Sequence, residues 1–360
     1  MTTGVQPGEP MLRLQEVRKH FPVRSAHLLE RTTEQVHAVD GVSLTVSRGE
    51  TLGLVGETGC GKSTLARCIA GLVGLTSGQI WFEGRRIDSL STRQMRPLRR
   101  DIQVVFQDPY GSLNPRRRVG SIIGDPFAVH GLVSGTARRR AVQDLMEMVG
   151  LNPEHYNRFP AEFSGGQRQR IGVARALALH PKLVICDEPV SALDVSIQAQ
   201  IINLLLDLQS ELGLTYVFIS HDLSVVRHVS DRIAVMYLGR IAEVAPSDEL
   251  FDRTRHPYTR ALLSALPAPD PDLADSRSRI VLSGDVPSPV HPPSGCRFHP
   301  RCPKATRECT EVEPDLAPVL DDGAEHLAAC LHPLEVGEDL TRARPSVHPA
   351  GRTVTTEVPT

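Results

Sequence analysis

Short apolar runs alternate with longer stretches of helical periodicity from about Leu12 to Leu266. The clearest runs are Thr51–Val55, Leu183–Cys186 and Thr215–Ser220, each of which contains few or no charged positions. Continuous apolar runs of this length are typical of strands that are buried on both faces. The alternation therefore predicts an α/β domain built on a largely parallel sheet.

Helical patterns complete this domain. Apolar residues recur at helical spacing over Ser196–Leu212, which predicts a helix packed on the sheet, and Arg232–Val244 is typical of a hairpin that turns at Gly239. Between about residues 108 and 165 the pattern is helical and rich in arginine, with Arg138–Gly150 as the clearest helix. We predict that this stretch is a helical subdomain inserted into the main fold.

The last quarter of the chain has a different composition. Proline and aspartate become frequent and apolar periodicity fades over residues 267–286, which predicts a linker after a main domain of residues 1–266. Residues 287–333 form a compact extension that holds four cysteines, well along the chain from the first domain. Residues 334–360 are polar without a clear period, and we expect them to be disordered.

Composition narrows the functional classes. The 360 residues carry 40 Lys and Arg against 42 Asp and Glu, a net charge of −2, so no overall positive field favours nucleic acid. The first ten residues lack the features of a secretory signal, and the sequence has no run of about 18 apolar residues that could span a bilayer. We expect a cytosolic protein that can sit on a membrane partner.

A phosphate-binding motif follows the run Thr51–Val55 directly. Its glycines allow a tight turn that points backbone N–H groups at a polyphosphate, and the next helix offers its N-terminus to the charge. In this motif the lysine reaches the β- and γ-phosphates and the serine binds Mg²⁺. The predicted nucleotide-binding residues here are Gly56, Glu57, Thr58, Gly59, Cys60, Gly61, Lys62, Ser63 and Thr64.

A second motif complements the first. The apolar run at Leu183–Cys186 ends in Asp187 and Glu188. Asp187 is suited to hold Mg²⁺ through water, and Glu188 to orient or deprotonate the water that attacks the γ-phosphate. The two motifs together indicate a site for phosphoryl transfer.

Between them stand Ser164, Gly165, Gly166 and Gln167, and this stretch resembles the signature motif of ATP-binding cassette (ABC) ATPases. The family position of leucine is occupied by Phe163, which leaves the Ser-Gly-Gly backbone donors in place. Other motifs follow in the family's order. They are Phe21, which resembles the aromatic residue that stacks on adenine, Gln107 of the Q-loop, Asp194 of the D-loop and the switch histidine His221.

The resemblance implies a P-loop ABC fold, with a RecA-like core, a β subdomain and the helical subdomain, and an ATP-driven dimer. Each ATP lies between one chain's phosphate loop and the other chain's Ser164 and Gly166. Glu188 then polarises water and is supported by His221, while Gln107 links Mg²⁺ and water to the subdomain that touches the transporter. Asp194 couples the two sites across the interface.

A closer resemblance covers roughly residues 11–333. The stretches Gln107–Gly120, Cys186–Gln200, His256–Pro267 and Pro293–Pro303 are similar to ATPase subunits of oligopeptide and dipeptide importers. Nickel and glutathione importers share much of this pattern, so they stay as alternatives. The subgroup implies a second, non-identical ATPase, two membrane permease subunits at whose cytoplasmic face the chain binds peripherally, and an extracytoplasmic binding protein that delivers substrate indirectly.

Two other functional classes are less well supported. A soluble ABC ATPase acting on DNA or ribosomes would favour two cassettes, a long coiled-coil insertion or a basic face, and the sequence shows none of these. A binding module with an inactive nucleotide site would lack Lys62, Glu188 or His221, all of which are present. We therefore expect an active ATPase that does not bind nucleic acid.

The four cysteines of the extension are Cys296, Cys302, Cys309 and Cys330. Their spacing lacks the paired steps of common zinc and ferredoxin sites, so by itself it indicates four thiolates and no particular metal. The family resemblance implies a [4Fe-4S] cluster, with zinc or no metal as alternatives. We expect three nearby histidines to be surface side chains, and three other cysteines to be small buried residues: His299, His326 and His332, and Cys60, Cys68 and Cys186.

Overall fold

The computed structural model describes residues 10–23, 34–107, 111–266, 280–319 and 325–340. The strands are β1 (Leu12–Pro22), β2 (Gln35–Val46), β3 (Thr51–Val55), β4 (Ser77–Phe82), β5 (Arg85–Arg86), β6 (Ile102–Val105), β7 (Leu183–Asp187), β8 (Thr215–Ile219), β9 (Arg232–Tyr237), β10 (Arg240–Pro246), β11 (Ala317–Pro318) and β12 (Leu327–Ala328). The α-helices are α1 (Lys62–Ile69), α2 (Thr92–Asp101), α3 (Val119–His130), α4 (Gly135–Met148), α5 (Gly165–Leu177), α6 (Val195–Leu212), α7 (Leu223–Val229), α8 (Ser247–Asp252), α9 (Pro257–Ser264) and α10 (Glu308–Glu311). Short 3-10 helices cover Pro153–Asn157, Pro160–Glu162 and His299–Arg301.

The described residues fall into two compact units. The first contains the residues up to Lys19, Gly41–Val55 and Lys62–Arg232. The second contains the described parts of His20–Asp40, the loop Gly56–Gly61 and the described chain from Ile233 onward. The chain thus passes between the units at the phosphate-loop motif, and β9 and β10 belong with the C-terminal residues.

In the first unit, β3, β8, β7 and β6 lie side by side in that order as parallel strands. The register pairs Leu54 with Ile219, Ile219 with Asp187, and Val105 with Cys186. Every residue of β3, β7 and β8 is buried, which confirms the predicted strands and explains their apolar runs. Because parallel strands end at the same edge, this register gathers the residues that follow them.

The rest of the first unit flanks this sheet. An antiparallel sheet has the strand order β2, β1, β4 and β5. Helices α3 and α4 lie in the chain between β6 and α5 and pack against each other and against α5. The helix predicted at Arg138–Gly150 is α4, which starts three residues earlier, and the helix predicted at Ser196–Leu212 is α6.

In the second unit, β9, β10, β12 and β11 are neighbours in that order, and β12 pairs antiparallel with both β10 and β11. The hairpin predicted around Gly239 is β9 and β10, and Gly239 has φ of +81°, which glycine adopts without strain. We call the described residues between Pro287 and Leu340 the cysteine segment. It has little regular structure, since its strands are two residues long.

Buried side-chain pairs hold the cysteine segment in place. His326 Nε2 lies 2.8 Å from Glu243 Oε1, and both side chains are fully buried. Glu243 also accepts the backbone N–H groups of Arg255 and His256, at 2.7 and 3.1 Å. A buried carboxylate needs such partners to offset its loss of water. Glu243 is therefore the main polar anchor of β12.

The predicted boundaries of this segment need correction. Leu334 and Leu340 are buried, and Leu334 exchanges backbone and side-chain hydrogen bonds with Arg255. Residues 334–340 thus belong to the folded segment, whereas the predicted disordered tail began at residue 334; residues 341–360 lie outside the described residues. Most of the predicted linker, residues 267–279, also lies outside them. None of the helices that the structure describes is long and apolar enough to cross a bilayer.

Candidate functional site

The phosphate loop turns on three glycines with positive φ: Gly56 (+149°), Gly59 (+82°) and Gly61 (+111°). A Cβ at Gly56 would lie 2.1 Å from the carbonyl oxygen of Met236, and one at Gly61 would lie 2.0 Å from that of Ala38. Backbone atoms cannot yield to such contacts. These two positions therefore require glycine for close approach as well as for conformation.

The loop is held by hydrogen bonds within the second unit. The Cys60 N–H donates to the Glu57 carbonyl at 3.2 Å, and the Gly239 N–H donates to the Cys60 carbonyl at 2.8 Å. The Glu57 N–H donates to Tyr258 Oη at 2.9 Å. Glu57 is thus held by the protein through its backbone N–H and carbonyl groups.

Two residues predicted to hold Mg²⁺ meet in the first unit. Ser63, near the start of α1, donates its hydroxyl to Asp187 Oδ1 at 2.8 Å. Burial raises the pKa of Asp187 above its ordinary value, and the Ser63 hydrogen bond and the charge of Arg67 offset only part of that rise. A cation would replace the lost solvation of this carboxylate, so the pair is suited to Mg²⁺.

Three predicted catalytic side chains converge at the carboxyl edge of the sheet. Gln107 Nε2 donates to Glu188 Oε2 at 2.8 Å, and His221 Nδ1 lies 3.3 Å from the same oxygen. Glu188 has φ of +48°, an uncommon backbone conformation for this residue type. We call Gln107, Asp187, Glu188 and His221 the sheet-edge site.

The signature serine caps a helix. Ser164 Oγ accepts the Gln167 N–H at 3.3 Å, and Gln167 Oε1 accepts the Ser164 N–H at 3.0 Å, which is a capping box at the start of α5. The Ser164 hydroxyl is an acceptor in this cap, so its own hydrogen can donate outward. Phe163 is buried and meets the ring of His155 edge-on at 5.8 Å, so this departure from the family motif serves packing.

The signature glycines have a packing role that the motif alone did not reveal. A Cβ at Gly166 would lie 2.4 Å from Ile197 Cγ2 on α6, and one at Gly165 would lie 3.2 Å from Leu193 Cδ2. The start of α5 thus packs closely on α6 and on the loop before it. Asp194 is exposed at the N-cap of α6, beside Val195, which is 81% exposed.

The remaining predicted nucleotide contacts are dispersed. Phe21 is 37% exposed at the end of β1, and Thr58 is exposed in the loop. Lys62 is buried at the first position of α1, and Thr64 is half-buried two residues later.

A cavity of about 710 Å³ in the first unit opens beside Gln107 and is lined by apolar and arginine side chains, including Leu72, Phe106 and Arg175.

In the second unit, the four cysteines of the segment line one small cavity: Cys296, Cys302, Cys309 and Cys330. None of them forms a disulfide. Burial raises the pKa of the Cys302 and Cys330 thiols to about 12, although backbone N–H groups and, for Cys330, Lys304 act in the opposite direction. Buried thiols that accept backbone hydrogen bonds at sulfur can serve as metal ligands, because a bound cation stabilises the thiolate form that burial disfavours.

His299 and His332 line this cavity together with the cysteines. His326 is buried against Glu243, which corrects its expected surface position. His299 Nδ1 lies 2.9 Å from the Cys296 carbonyl, and His332 Nε2 lies 2.9 Å from Thr306 Oγ1. Three further cysteines are buried as expected: Cys60, Cys68 and Cys186.

Another group, His20, His37 and Asp40, has ligand atoms within 4.8 Å of one another. Burial opposes ionisation of Asp40, but Arg297 and His20 bond its carboxylate and hold its pKa at about 2. Arg240 lies 3.9 Å from the same carboxylate. Two guanidinium groups already balance this charge, so the group is better explained as an ion-pair network than as a cation site.

A helix that begins with Ser-Gly-Gly, placed in the chain between the glutamine strand β6 and the carboxylate strand β7, distinguishes the ATP-binding cassettes among P-loop proteins. The first unit has this arrangement. The fold and the sheet-edge site therefore define an ABC-type ATPase.

Comparison with known proteins gives the particular family. A model of the ABC transporter family matches residues 39–191, and one described as "Oligopeptide/dipeptide transporter, C-terminal region" matches residues 242–309. The chain is 53% identical to the oligopeptide transport ATP-binding protein AppF of Bacillus subtilis, over 89% of this chain and 97% of that one. It is 49% identical to the dipeptide transport ATP-binding protein DppF of Haemophilus influenzae, over 92% and 99%.

Solved structures agree. An ATP-binding cassette, MJ0796, in a post-hydrolysis dimer bound to ADP and Pi, is 30% identical with a TM-score of 0.58, over 66% of this chain and 99% of that one. The cassette cbiO1 of Clostridium perfringens gives the same TM-score at 29% identity, over 68% and 91%. This chain belongs to the oligopeptide/dipeptide transport ATP-binding proteins of the ABC transporter family, and it is an ATPase.

Proposed function

We propose that this chain hydrolyses ATP to power the import of di- or oligopeptides through a membrane transporter. The observation that carries the proposal is its identity of about half with peptide transport ATP-binding proteins over nearly the whole of those chains. Nickel and glutathione importers are the alternative cargo classes. The similar proteins are named as oligopeptide or dipeptide transport proteins, which favours peptides as the cargo.

The cargo is tested on the assembled transporter. A tag on this chain should retrieve two permease subunits and a second ATPase from detergent-solubilised membranes. Once reconstituted, the complex should hydrolyse ATP faster with peptide-loaded binding protein than with binding protein exposed to nickel or glutathione. Stimulation by nickel or glutathione alone would contradict the peptide proposal, and retrieval of ribosomes or DNA in place of permeases would contradict the transporter.

Within the site, we assign Glu188 as the group that polarises the attacking water. Its contacts with Gln107 and His221 support this role, because both side chains meet the same carboxylate oxygen. The bond between Ser63 and Asp187 supports their assignment to Mg²⁺, directly and through water respectively, and Gln107 completes that shell. Phe21 supplies an exposed ring for adenine.

We further propose that the ATP site is completed by a second ATPase subunit. The cap geometry supports this, since the outward hydroxyl of Ser164 and the N-terminus of α5 can meet a phosphate on the partner's loop. Gly165, Gly166 and Gln167 belong to the same helix start, and exposed Asp194 is available to couple the two sites. Ser164→Arg should then impair nucleotide trapping at the opposite site first. An effect restricted to this chain's own Lys62 site would contradict the sandwich.

We place the chain peripherally at the cytoplasmic face of the membrane, beneath the permeases. The cavity beside Gln107 supports a docking position for a permease segment, because Leu72 and Phe106 expose 51% and 38% of their surface there. The binding protein acts through the permeases. The inserted helices, about residues 108–165, form the subdomain that carries this contact.

Finally, we propose that Cys296, Cys302, Cys309 and Cys330 hold a [4Fe-4S] cluster. Their shared cavity and the backbone donors to sulfur support it. When bound, such a cluster would neutralise four thiolates and cross-link a segment with little regular structure. Protein purified without oxygen should contain iron and sulfide, whereas stoichiometric zinc without iron would overturn the assignment.

A further inference from the structure

The side chain of Glu57, a residue of the phosphate loop, contacts the cysteine segment. Arg301 Nη1 lies 3.1 Å from Glu57 Oε1 and 2.9 Å from Oε2. The two residues are 244 positions apart in the sequence. We propose that Arg301 is a positioning residue for ATP binding, which acts by fixing Glu57 and hence the phosphate loop.

The pair is sheltered, unlike most surface ion pairs. The Arg301 side chain is 9% exposed and that of Glu57 is 24% exposed. The guanidinium also lies over the ring of Tyr237, 5.9 Å from its centroid, with Nη1 3.5 Å from the Tyr237 hydroxyl. A charge pair with this degree of burial and a fixed orientation constrains its partners much more than an exposed pair does.

A second contact fixes the same loop residue. Tyr258 Oη accepts the Glu57 N–H at 2.9 Å, and the Tyr258 side chain is fully buried. Its ring packs against those of Tyr237 and Phe298, with centroids 4.6 and 5.3 Å away. Phe298 is three residues before Arg301, so the cysteine segment supports Glu57 through an aromatic cluster as well as through charge.

This support matters because the loop is rich in glycine. With Gly56, Gly59 and Gly61, an unsupported phosphate loop has more backbone conformations than a loop of other residues would have. When ATP binds, the loop is restricted to one of these conformations, which costs conformational entropy. A loop already held at Glu57 loses less entropy on binding. Removing Arg301 should therefore weaken nucleotide affinity while leaving the chemical step at Glu188 intact.

The position of Arg301 links two parts of the chain that the sequence separates widely. It lies in the 3-10 helix His299–Arg301, between Cys296 and Cys302. When the turn is held in this conformation, Arg301 lies against the loop, and when the loop is held, Glu57 lies against the turn. By thermodynamic linkage, the turn stabilises the loop by the same free energy as the loop stabilises the turn.

The test compares Arg301→Ala with Arg301→Lys and Arg307→Ala in the full chain. Affinity is measured by calorimetry with Mg²⁺ and a non-hydrolysable ATP analogue, and steady-state hydrolysis is followed in parallel. Arg301→Ala should weaken binding about tenfold, equivalent to about 1.4 kcal/mol, and raise KM with kcat nearly unchanged. Lys should restore most of this affinity, because a single nitrogen of Arg301 makes both contacts.

Arg307→Ala is the matched control, since Arg307 is in the same segment but is 89% exposed and pairs with Glu311. It should leave affinity unchanged. Iron content and thermal unfolding of every variant show whether the segment itself is intact. An affinity within twofold of wild type for Arg301→Ala, with the segment intact, would overturn the proposal.

Should Arg301→Ala disturb the segment, the loop side of the pair gives an independent answer. Glu57→Gln removes the charge without touching the cysteine segment, and it should weaken binding severalfold with iron retained. Arg301→Gln removes the positive charge but keeps a long side chain, and alone it should weaken binding severalfold. In the Glu57→Gln background it should have little further effect, because the pair is already broken. Unchanged affinity for Glu57→Gln, or an equal loss for Arg301→Gln in both backgrounds, would contradict the proposal.

Discussion

The sheet-edge site and the cysteine segment are built in different ways. The sheet-edge residues follow strands whose backbone register is regular over several consecutive pairs, as in the run from Leu183 opposite Thr215 to Asp187 opposite Ile219. The cysteine segment has two-residue strands and depends on single side-chain pairs such as Glu243 with His326. One site is placed by repeated backbone bonds, the other by a few buried charges and by the cysteine cavity.

This difference has a functional consequence. Substitutions at the sheet-edge site should change the rate and leave the fold unaffected, because the strands hold the backbone without help from those side chains. Substitutions of the four cysteines should change the stability of the segment, whereas Arg301→Ala should change nucleotide affinity with the segment intact. Single substitutions can therefore distinguish the sheet-edge site from the cysteine segment.

The largest effect is expected in the cysteine segment. Cys302→Ser removes one of the four thiolates, so the iron content of anaerobically purified protein should fall from about four atoms per chain to nearly none. The segment should also become accessible to protease, because metal binding contributes to its folding. Cys68→Ala, a buried cysteine of the first unit, is the control and should keep its iron. Full iron content in Cys302→Ser would exclude Cys302 as a ligand.

At the sheet-edge site, Glu188→Gln should lower hydrolysis of Mg²⁺-ATP by at least about a hundredfold, the scale of a positioned general base. The amide keeps the size of the side chain, so ATP affinity and the melting temperature should stay near wild type. The hydrolysis rate is measured by phosphate release, and the ATP affinity is measured by calorimetry. Glu211→Gln, on the exposed face of α6, should leave both unchanged. A near wild-type rate for Glu188→Gln would remove Glu188 from its role.

Two glycines of α5 sharpen the comparison within the first unit. Gly166→Ala should destabilise the protein by about 1–3 kcal/mol, because its Cβ would meet Ile197 Cγ2 at 2.4 Å. Gly172→Ala has no atom within 4 Å of its Cβ and should stabilise the same helix by roughly 0.5–1 kcal/mol. Denaturant unfolding measures the difference. Equal effects would show that helix propensity alone decides, and Ile197→Ala should relieve the cost at Gly166.

The smallest change is expected in the pH dependence of the contribution of Asp40, which pairs with Arg297 of the cysteine segment. Its pKa is held at about 2, below the ordinary 3.8, so the unfolded state takes up the proton first as pH falls. The pair therefore contributes about 2 kcal/mol above pH 4, and this is lost as pH falls toward 2. Asp40→Asn should cost that amount at pH 7 and less at pH 3.5 by urea unfolding, and exposed Asp315→Asn should cost nothing. A cost independent of pH would contradict this origin.

Sequence alone determined the core of the fold and the composition of the sheet-edge site. The strands β3, β7 and β8 were read from apolar runs, since a strand buried on both faces must be apolar throughout. The phosphate loop, Asp187 and Glu188 are predicted from their chemistry, which requires particular residue types at fixed short spacing. Gln107 and His221 are predicted only by the resemblance to the ABC family. Parallel strands then bring the ends of these strands together.

Tertiary structure alone decided the contacts that join distant positions. Nothing near Glu57 in the sequence marks Arg301 as its partner, and His326 was expected at the surface although it is buried against Glu243. The packing of Gly166 on Ile197 and the folded residues 334–340 were missed likewise. Such pairs produce no periodic pattern in the sequence. The energy of one buried contact depends on which distant residues the fold brings together, and not on the neighbouring residues in the chain.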